Sequence, residues 1–259
     1  MISANPPSLP ASPSALTRKI HALDVPYLLG SYTTAYPHAT PSQAHNIALA
    51  AKLLRGVTIA PGATFSYNLA VGPRTPDQGF KEGRIFSGNR IVKGFGGGVC
   101  QVATTLYNVV LLAHLPVVER HAHSLTVPYV PPGQDATVAF GLIDFKFQNP
   151  YKEPLLLWSW IHDGKLTIAL YGAKTGPEVR IFHRILAKYP VWVEKIPDPS
   201  LPPGTEKVEA PGQPGCDVAS WIIVKSHGHP QKMEDLGIDH YVASPKIVRV
   251  GESKSPALG

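Results

Sequence analysis

The sequence predicts an α+β fold, with two main helices packed on an antiparallel β-sheet and a small C-terminal all-β appendage. Helices are indicated at about 41–55 and 100–113, where apolar residues recur every three to four positions. The sheet is indicated by short apolar and β-branched segments between turn residues from about 124 onward, in a chain with 27 prolines and 23 glycines. The predicted parts are a flexible leader (1–15), a main domain (16–175) and the appendage (176–259).

The first main helix has recognisable signals at both ends. Thr40 suits the N-cap, Pro41 suits the first helical position, and Gln43 completes a capping box. Gly56 provides the stop, because glycine readily adopts the left-handed conformation that ends many helices. The face predicted to be buried comprises Ile47, Ala51 and Leu54.

The second main helix is predicted from about Cys100 to Ala113, and its buried stripe comprises Val102, Leu106, Val109, Val110 and Ala113. Upstream of it, Gly88-Asn89 is the expected turn of a hairpin. Downstream, two-residue turns such as Asp163-Gly164 are expected to join strands into a meander. The expected strands are Ser124–Val130, Ala136–Phe147, Leu155–Ile161, Leu166–Tyr171, Ala219–Lys225 and Lys246–Val250.

The formal net charge of +6 is unevenly distributed along the chain. Residues 1–100 carry nine Lys and Arg against three acidic residues, whereas residues 101–259 carry fifteen of each. This excess suits an anionic polymer or a carboxylate-bearing substrate; a solvated basic surface is the alternative. Nucleic acid is not an expected partner, since no basic run is interleaved with aromatic residues. No segment approaches the roughly 18–20 apolar residues of a transmembrane helix.

The most informative segment for function is the glycine run Gly96–Gly98, which stands directly before Cys100 and the second main helix. Glycines allow the backbone to approach another molecule closely. A thiol in the first turn of a helix lies beside N–H groups and the positive end of the helix dipole, which favour the nucleophilic thiolate and could hold an oxyanion. Two alternatives stay open: a small buried cysteine behind a glycine turn, and a disulfide with Cys216.

A base and its orienting carboxylate are expected downstream of the thiol. His123 is predicted to open one strand and Asp135 the next, so that adjacent antiparallel strands bring the imidazole and the carboxylate together. The order Cys, His, Asp is that of papain-like and related thiol enzymes. One alternative is that His121 and His123 are surface or hydrogen-bonded core residues. Another is a metal site formed by Cys100, His121 and His123, because alternate residues of a strand face the same side.

Four blocks in order resemble the VanW family domain, over about residues 30–172. The blocks are Pro61–Asn68, Gly96–Asn108, Glu119–Ser124 and Gly133–Val138. The segment from about Glu206 to Gly251 resembles the glycine-rich β module of the G5 type that often follows this domain in bacterial surface proteins. The family takes its name from vancomycin-resistance gene clusters, and some members are described as cysteine-dependent L,D-transpeptidases of peptidoglycan.

The resemblance implies that Cys100 is the reactive cysteine and that His123 belongs to the family's His-Ser pair. One departure is His45-Asn46, where the family leads us to expect Arg before Asn. That departure puts substrate-carboxylate binding by the first main helix in doubt.

The expected function is a cell-wall acyl transferase of the L,D-transpeptidase type, which forms a thioester on Cys100 and cross-links peptide stems. His123 would be the base and Asp135 its orienting group; a non-catalytic peptidoglycan-binding envelope module is the alternative. We expect peptidoglycan stem peptides or glycan as partners, and neither a cofactor nor a metal. An extracytoplasmic location is expected, in the envelope or secreted, although residues 1–14 do not have the pattern of a signal peptide. The residues expected to bind substrate are Gly96, Gly97, Gly98, Gln101, Thr104, His121, Arg84 and Ser66.

Overall fold

The structure, a computed structural model, describes residues 14–87, 90–226 and 228–251. The helices of these residues are α1 (Ala15–Leu23), α2 (Pro41–Leu54), α3 (Tyr67–Val71) and α4 (Val99–Leu112), with a short 3-10 helix at Pro76–Gln78. The strands are β1 (Tyr27–Ala35), β2 (Thr58–Ile59), β3 (Thr64–Ser66), β4 (Glu82–Ser87), β5 (Arg90–Phe95), β6 (Val117–Glu119), β7 (Lys146–Gln148), β8 (Leu155–His162), β9 (Lys165–Gly172), β10 (Glu178–Tyr189), β11 (Val193–Pro197), β12 (Glu206–Ala210), β13 (Gly215–Lys225), β14 (Lys232–Tyr241) and β15 (Lys246–Val250). The α+β fold predicted from the sequence is confirmed.

The main sheet is antiparallel, has the strand order β1-β9-β8-β2, and carries α2 and α4 packed against it. Strands β8 and β9 are joined at Asp163-Gly164, where both residues have positive φ (46° and 65°), as the sequence predicts for a two-residue hairpin turn. Strand β1 and helix α1 were not predicted. Gly30 of β1 lets the strand lie close to α4, because a Cβ there would approach the Val109 carbonyl to 3.0 Å.

The ends of α2 follow the sequence signals. The Thr40 side chain accepts a hydrogen bond from the Gln43 backbone, and the Gln43 side chain caps Thr40 in return. Gly56 follows the C-cap with φ +81°. The predicted inner face is buried, as Ile47, Ala51 and Leu54 are each no more than 1% exposed.

Helix α4 is the central helix of the main domain. Every one of its residues except Cys100 and Leu112 is buried, so its apolar surface extends around the helix rather than along one stripe. Its buried polar side chains have partners: the Thr105 hydroxyl donates to the Gln101 carbonyl at 2.7 Å, and the Asn108 amide donates to the Gln134 carbonyl at 2.7 Å. The helix therefore holds Cys100, at its N-terminal end, in a fixed place.

The segment between β6 and β7 differs from the prediction. The expected strands Ser124–Val130 and Ala136–Phe147 are largely irregular, with β7 as the regular part of the second. Pro128 removes a backbone donor from the first segment, and Pro131 and Pro132 follow that segment directly. The Asp135 carboxylate accepts a hydrogen bond from the His123 backbone N–H, which is then not available to a strand ladder. Apolar residues of the segment, such as Leu125 and Val127, are nevertheless buried.

The C-terminal part is all β, as predicted. One sheet is antiparallel with the order β10-β13-β14, and the other has the order β11-β15-β12 with β11 and β15 parallel. The expected Ala219–Lys225 strand lies within β13, and Lys246–Val250 is β15. The Gly88-Asn89 turn lies outside the described residues, although its flanking strands β4 and β5 pair as a hairpin. Among the helices of the described ranges, none is long and apolar enough to span a membrane.

Candidate functional site

Cys100 lies in the first turn of α4. The helix begins after Gly98, which has φ +105°, and it has no side-chain cap. The half-buried thiol has Sγ 3.5 Å from the Val138 carbonyl oxygen and 3.7 Å from the Thr137 hydroxyl. The positive end of the helix dipole favours a thiolate at this position.

His123 lies beside this thiol and changes its ionisation. Burial alone would raise the pKa of Cys100, but a hydrogen bond and the charge of His123 outweigh burial and lower the pKa. Burial likewise opposes charging of His123, but its hydrogen bonds to Asp135 and Cys100 raise the pKa of the imidazole to about 9. Both shifts therefore favour the form of the pair in which Cys100 is a thiolate and His123 an imidazolium.

Asp135 completes the arrangement and is itself buried. Its Oδ2 accepts hydrogen bonds from the His123 backbone N–H at 2.7 Å and from His123 Nδ1 at 2.6 Å. Its Oδ1 accepts from the Tyr241 hydroxyl and lies 3.4 Å from Arg120 Nη2. Burial would raise the pKa of this carboxyl, but the bonds from His123 and Tyr241 lower it. Because Asp135 holds Nδ1, Nε2 is the ring nitrogen left to exchange a proton with the thiol, as in a catalytic triad.

The first turn of α4 has few free N–H groups to hold an oxyanion. The Val99 N–H donates to the Gly96 carbonyl and the Gln101 N–H to the Gly98 carbonyl, both at 3.1 Å. An oxyanion role for this turn would therefore depend on the N–H of Cys100 itself.

Each glycine of the run lies close to the protein's own atoms, which is a reason for glycine that was not predicted from sequence. A Cβ at Gly97 would lie 2.5 Å from the Arg84 carbonyl oxygen, and one at Gly98 would lie 3.0 Å from the Gln43 carbonyl oxygen. Gly96 has φ +84°, and a Cβ there would lie 2.7 Å from the Arg74 side chain. These glycines let the chain before Cys100 pass between α2 and the β4–β5 hairpin.

Several other residues expected to bind substrate make hydrogen bonds within the protein. Gln101 is buried and donates to the Thr34 hydroxyl at 3.0 Å and the Ala35 carbonyl at 3.1 Å. Thr104 is fully buried, and its hydroxyl bonds both the N–H and the carbonyl of Ala136. Ser66 caps α3 and donates to Asp144 at 2.5 Å.

The two remaining candidates are exposed. The His121 side chain lies 3.5 Å from Glu119, and Arg84 is on the surface of β4. Because His121 lies on the surface while His123 is buried against Asp135, the alternative metal site of Cys100, His121 and His123 is not formed. No group of three His, Cys, Asp or Glu is arranged to hold a metal ion in the part of the chain that the structure describes. Cys216 is a free buried thiol on β13, so it is not bonded to Cys100.

Four residues near the thiol were not singled out from sequence. The Tyr129 hydroxyl bonds Thr104 and lies within electrostatic reach of Cys100, and burial raises its pKa. Arg74 also lies within electrostatic reach of Cys100. Tyr241 and Arg120 contact Asp135. Tyr241 could not be found by motif, because it lies 106 residues after Asp135 in the C-terminal part.

His45, which stands where the family pattern led us to expect Arg, contacts a backbone carbonyl. His45 Nε2 lies 2.9 Å from the Gly79 carbonyl oxygen. The neighbouring Asn46 is buried, and its amide donates to the carbonyls of Lys81 (2.9 Å) and Gly97 (3.0 Å). Asn46 therefore fastens the glycine run to α2.

Comparison with known proteins gives two matches that follow one another along the chain. Residues 42–171 match the family described as VanW like protein, and residues 187–253 match the G5 domain. The chain is 40% identical over 169 residues to the uncharacterized protein YoaR of Bacillus subtilis, covering 65% of this chain and 54% of that protein. It is 31% identical over 163 residues to the vancomycin B-type resistance protein VanW of Enterococcus faecalis, covering 58% and 59%. The chain thus spans little more than half the length of these relatives.

Two solved structures, the IgA1 protease G5 domain and HP0197-G5, are 25% and 23% identical and align with TM-scores of 0.21 and 0.18. They cover 32% and 29% of this chain, and 100% and 99% of their own. These scores are too low to support a structural argument, so the G5 assignment depends on the sequence match. The first match covers half of the chain and includes Cys100, His123 and Asp135. The chain therefore belongs to the VanW-like protein family, with a G5 domain following the family domain.

Proposed function

We propose that this chain acts on peptidoglycan in the cell envelope as a cysteine-dependent acyl transferase of the L,D-transpeptidase type. The observation that carries the proposal is the Cys100–His123–Asp135 arrangement, in which a thiol of lowered pKa lies beside an imidazole of raised pKa. A structural cysteine in apolar surroundings has a raised pKa instead, as Cys216 does through burial. The Enterococcus relative is a vancomycin resistance protein by name, which supports a cell-wall substrate.

In the first step, the Cys100 thiolate attacks the carbonyl carbon of the third residue of a tetrapeptide stem and forms a C–S bond. The tetrahedral intermediate collapses with cleavage of the C–N bond to the terminal D-Ala, whose amine leaves with a proton from the His123 imidazolium. In the second step, a side-chain amine of another stem gives a proton to His123 and attacks the thioester carbonyl. Cleavage of the C–S bond returns the thiolate, and the product is a cross-link between the two third residues.

Arg74 offers a cation for the carboxylate of such a substrate. Its guanidinium lies 5.4 Å from the centroid of the Tyr67 ring, and the Tyr67 hydroxyl donates to the Val99 carbonyl at 3.0 Å, next to Cys100. Nη1 donates to the Gly72 carbonyl at 2.8 Å, whereas Nη2 is buried and has no hydrogen-bond partner among the described residues. A buried donor without an acceptor is costly, and a carboxylate would satisfy it in a bidentate or single bond. Arg74 would thus replace the arginine that the family pattern led us to expect at His45.

The direct test is incubation with disaccharide-tetrapeptides, followed by mass spectrometry of the products. We expect cross-linked dimers, release of D-Ala, and a thioester adduct on Cys100. The Cys100→Ala variant is expected to form neither adduct nor dimer while still folding. Undiminished cross-linking by Cys100→Ala would contradict the proposal; binding of Cys100→Ala and wild type to purified wall with no product from either would instead support a non-catalytic wall-binding module.

The role of Arg74 is tested with two alkylating reagents of similar size and different charge. Cys100 is treated with iodoacetate, which is negatively charged, and with iodoacetamide, which is neutral. The rate constant for iodoacetate divided by that for iodoacetamide is compared between wild type and Arg74→Gln. We expect the ratio to fall about tenfold in the variant, because a charge-assisted hydrogen bond to a carboxylate contributes roughly 1.5–3 kcal/mol. Lys165→Gln, which removes an exposed positive charge from the first residue of β9, is the matched control. An equal ratio in Arg74→Gln and wild type would rule out this role.

A further inference from the structure

The carboxylate of the candidate triad is held from two sides, and one side belongs to the C-terminal part. Tyr241, at the end of β14, donates to Asp135 Oδ1 and accepts a hydrogen bond from the Gly133 N–H at 2.7 Å. Its side chain is 1% exposed and packs with Cys216 and Val218 of β13. Its hydroxyl therefore links the loop that carries Asp135 to the G5-containing part.

A second link runs through Arg120. Its guanidinium makes a two-fold ion pair with Asp239 of β14, with both oxygens 2.7 Å from Nη1. Arg120 Nε donates to the Asp135 backbone carbonyl at 2.7 Å, and Nη2 lies 3.4 Å from Asp135 Oδ1. The side chains of Arg120 and Asp239 are only 10% and 16% exposed, so solvent screens this pair little.

Further contacts fix the same two segments against each other. The Val242 N–H donates to the Ser124 carbonyl at 2.8 Å, one residue after His123. The Gln213 amide donates to the Thr126 carbonyl at 2.7 Å. Gly133 has φ +89°, and a Cβ there would lie 2.1 Å from the Ser220 hydroxyl of β13, so the loop before Asp135 also depends on close contact with this sheet.

We propose that the C-terminal β part completes the candidate catalytic site, with Tyr241 and Asp239 as positioning residues that fix Asp135 and, through it, His123. The catalytic role of the site rests on the proposed function. The positioning of Asp135 and His123, and its effect on the ionisation of Cys100, does not. A G5-containing part would then be required for a competent thiol and not solely for attachment to a wall polymer. Loss of the Tyr241 hydroxyl leaves Asp135 Oδ1 and the Gly133 N–H without their shared partner, and it frees the carboxylate to turn toward that N–H and away from His123 Nδ1.

The test is the pH dependence of Cys100 alkylation by iodoacetamide in the full chain, followed by mass spectrometry of the Cys100 peptide. Tyr241→Phe is expected to raise the midpoint of alkylation by about one pH unit. At a pH below both midpoints, the variant would then hold about tenfold less thiolate than the wild type. Asp239→Asn, which frees Arg120 to pair with Asp135 in competition with His123, is expected to shift the midpoint in the same direction. Because no wall substrate is used, this result does not depend on whether transpeptidation is found.

Tyr189→Phe is the matched control. It removes a hydroxyl that donates to Asp217 at 2.7 Å on the exposed side of the same β part. We expect it to leave the midpoint of Cys100 unchanged. Melting curves give the temperature range in which each variant is folded. Alkylation of all variants is measured within that range. An unchanged midpoint in folded Tyr241→Phe and Asp239→Asn would overturn the inference.

Discussion

Replacing Asp135 with Asn tests the electrostatic origin of the site most sharply. The two side chains have the same shape, so the change removes the negative charge and replaces one hydrogen-bond acceptor with a donor. In the wild type the pKa of His123 is raised from 6.5 to about 9 although burial opposes it. That difference corresponds to a net stabilisation of the imidazolium by about 3 kcal/mol, so the favourable contributions of Asp135 and Cys100 together exceed the opposing effect of burial by that amount. Without the carboxylate, we expect the pKa of His123 to fall toward 6.5 or below, because burial is then opposed by Cys100 alone.

The tautomer should change as well. The Asn amide would face Nδ1 and donate to it, so that the ring carries its proton on Nε2 and cannot accept one from Cys100. The assay is an NMR titration of the His123 ring, with the alkylation rate of Cys100 at neutral pH as a second readout. We expect a fall of about a hundredfold in that rate, since a net change of roughly 3 kcal/mol corresponds to about 150-fold.

The control is Asp217→Asn, which removes the carboxylate of the exposed pair between Asp217 and His240, 2.8 Å apart. This variant should leave the titration of His123 and the reactivity of Cys100 as they are. If His123 in Asp135→Asn still titrates near 9, the carboxylate is not what charges the imidazole, and the triad reasoning fails.

Two other predictions concern pH and the glycine run. The rate of acyl transfer should fall as the pH rises through about 9, because His123 loses the proton that the leaving amine needs. The pH profile of kcat/KM measures this fall. A kcat/KM that still rises above pH 9 would contradict the role of His123 as proton donor. In urea unfolding, Gly98→Ala should lower the free energy of unfolding by more than Gly62→Ala does. Both glycines have positive φ, so alanine at either position would carry a strain of about 1–2 kcal/mol. Only a Cβ at Gly98 meets other atoms, at 2.9 Å from Ile47 and 3.0 Å from Gln43. Equal losses in the two variants would refute this packing role.

The parts of the fold that depend on local signals were predictable from sequence. Thr40, Gln43 and Gly56 mark the ends of α2 because capping depends on neighbours in the chain. The β8–β9 hairpin follows from Asp163-Gly164 for the same reason. In contrast, the Ser124–Val130 segment has strand-forming residues, but it is buried by packing and by hydrogen bonds from distant residues, which no local pattern reveals.

Some residues of the candidate site were likewise predictable from sequence, and others were not. Cys100, His123 and Asp135 could be chosen from residue type, order and the family pattern, although the strands expected to bring the last two together do not exist. The glycines, Gln101 and Thr104 stand in the same block, and their neighbours are backbone and side-chain atoms of the protein itself. Tyr241 and Arg74 reach the site only through tertiary contacts, so sequence position gave no signal for them.

The proposed chemistry requires that the sulfur of Cys100 is ionised more easily than that of an ordinary cysteine. The most direct measurement of this ionisation is the midpoint of the pH profile for alkylation of Cys100 in the wild type, with Cys216 in the same sample as an internal reference. We predict a midpoint for Cys100 below the ordinary value of about 8.5 and one for Cys216 above it, since burial raises the pKa of that thiol. A midpoint for Cys100 at or above the ordinary value would contradict a thiol activated by His123.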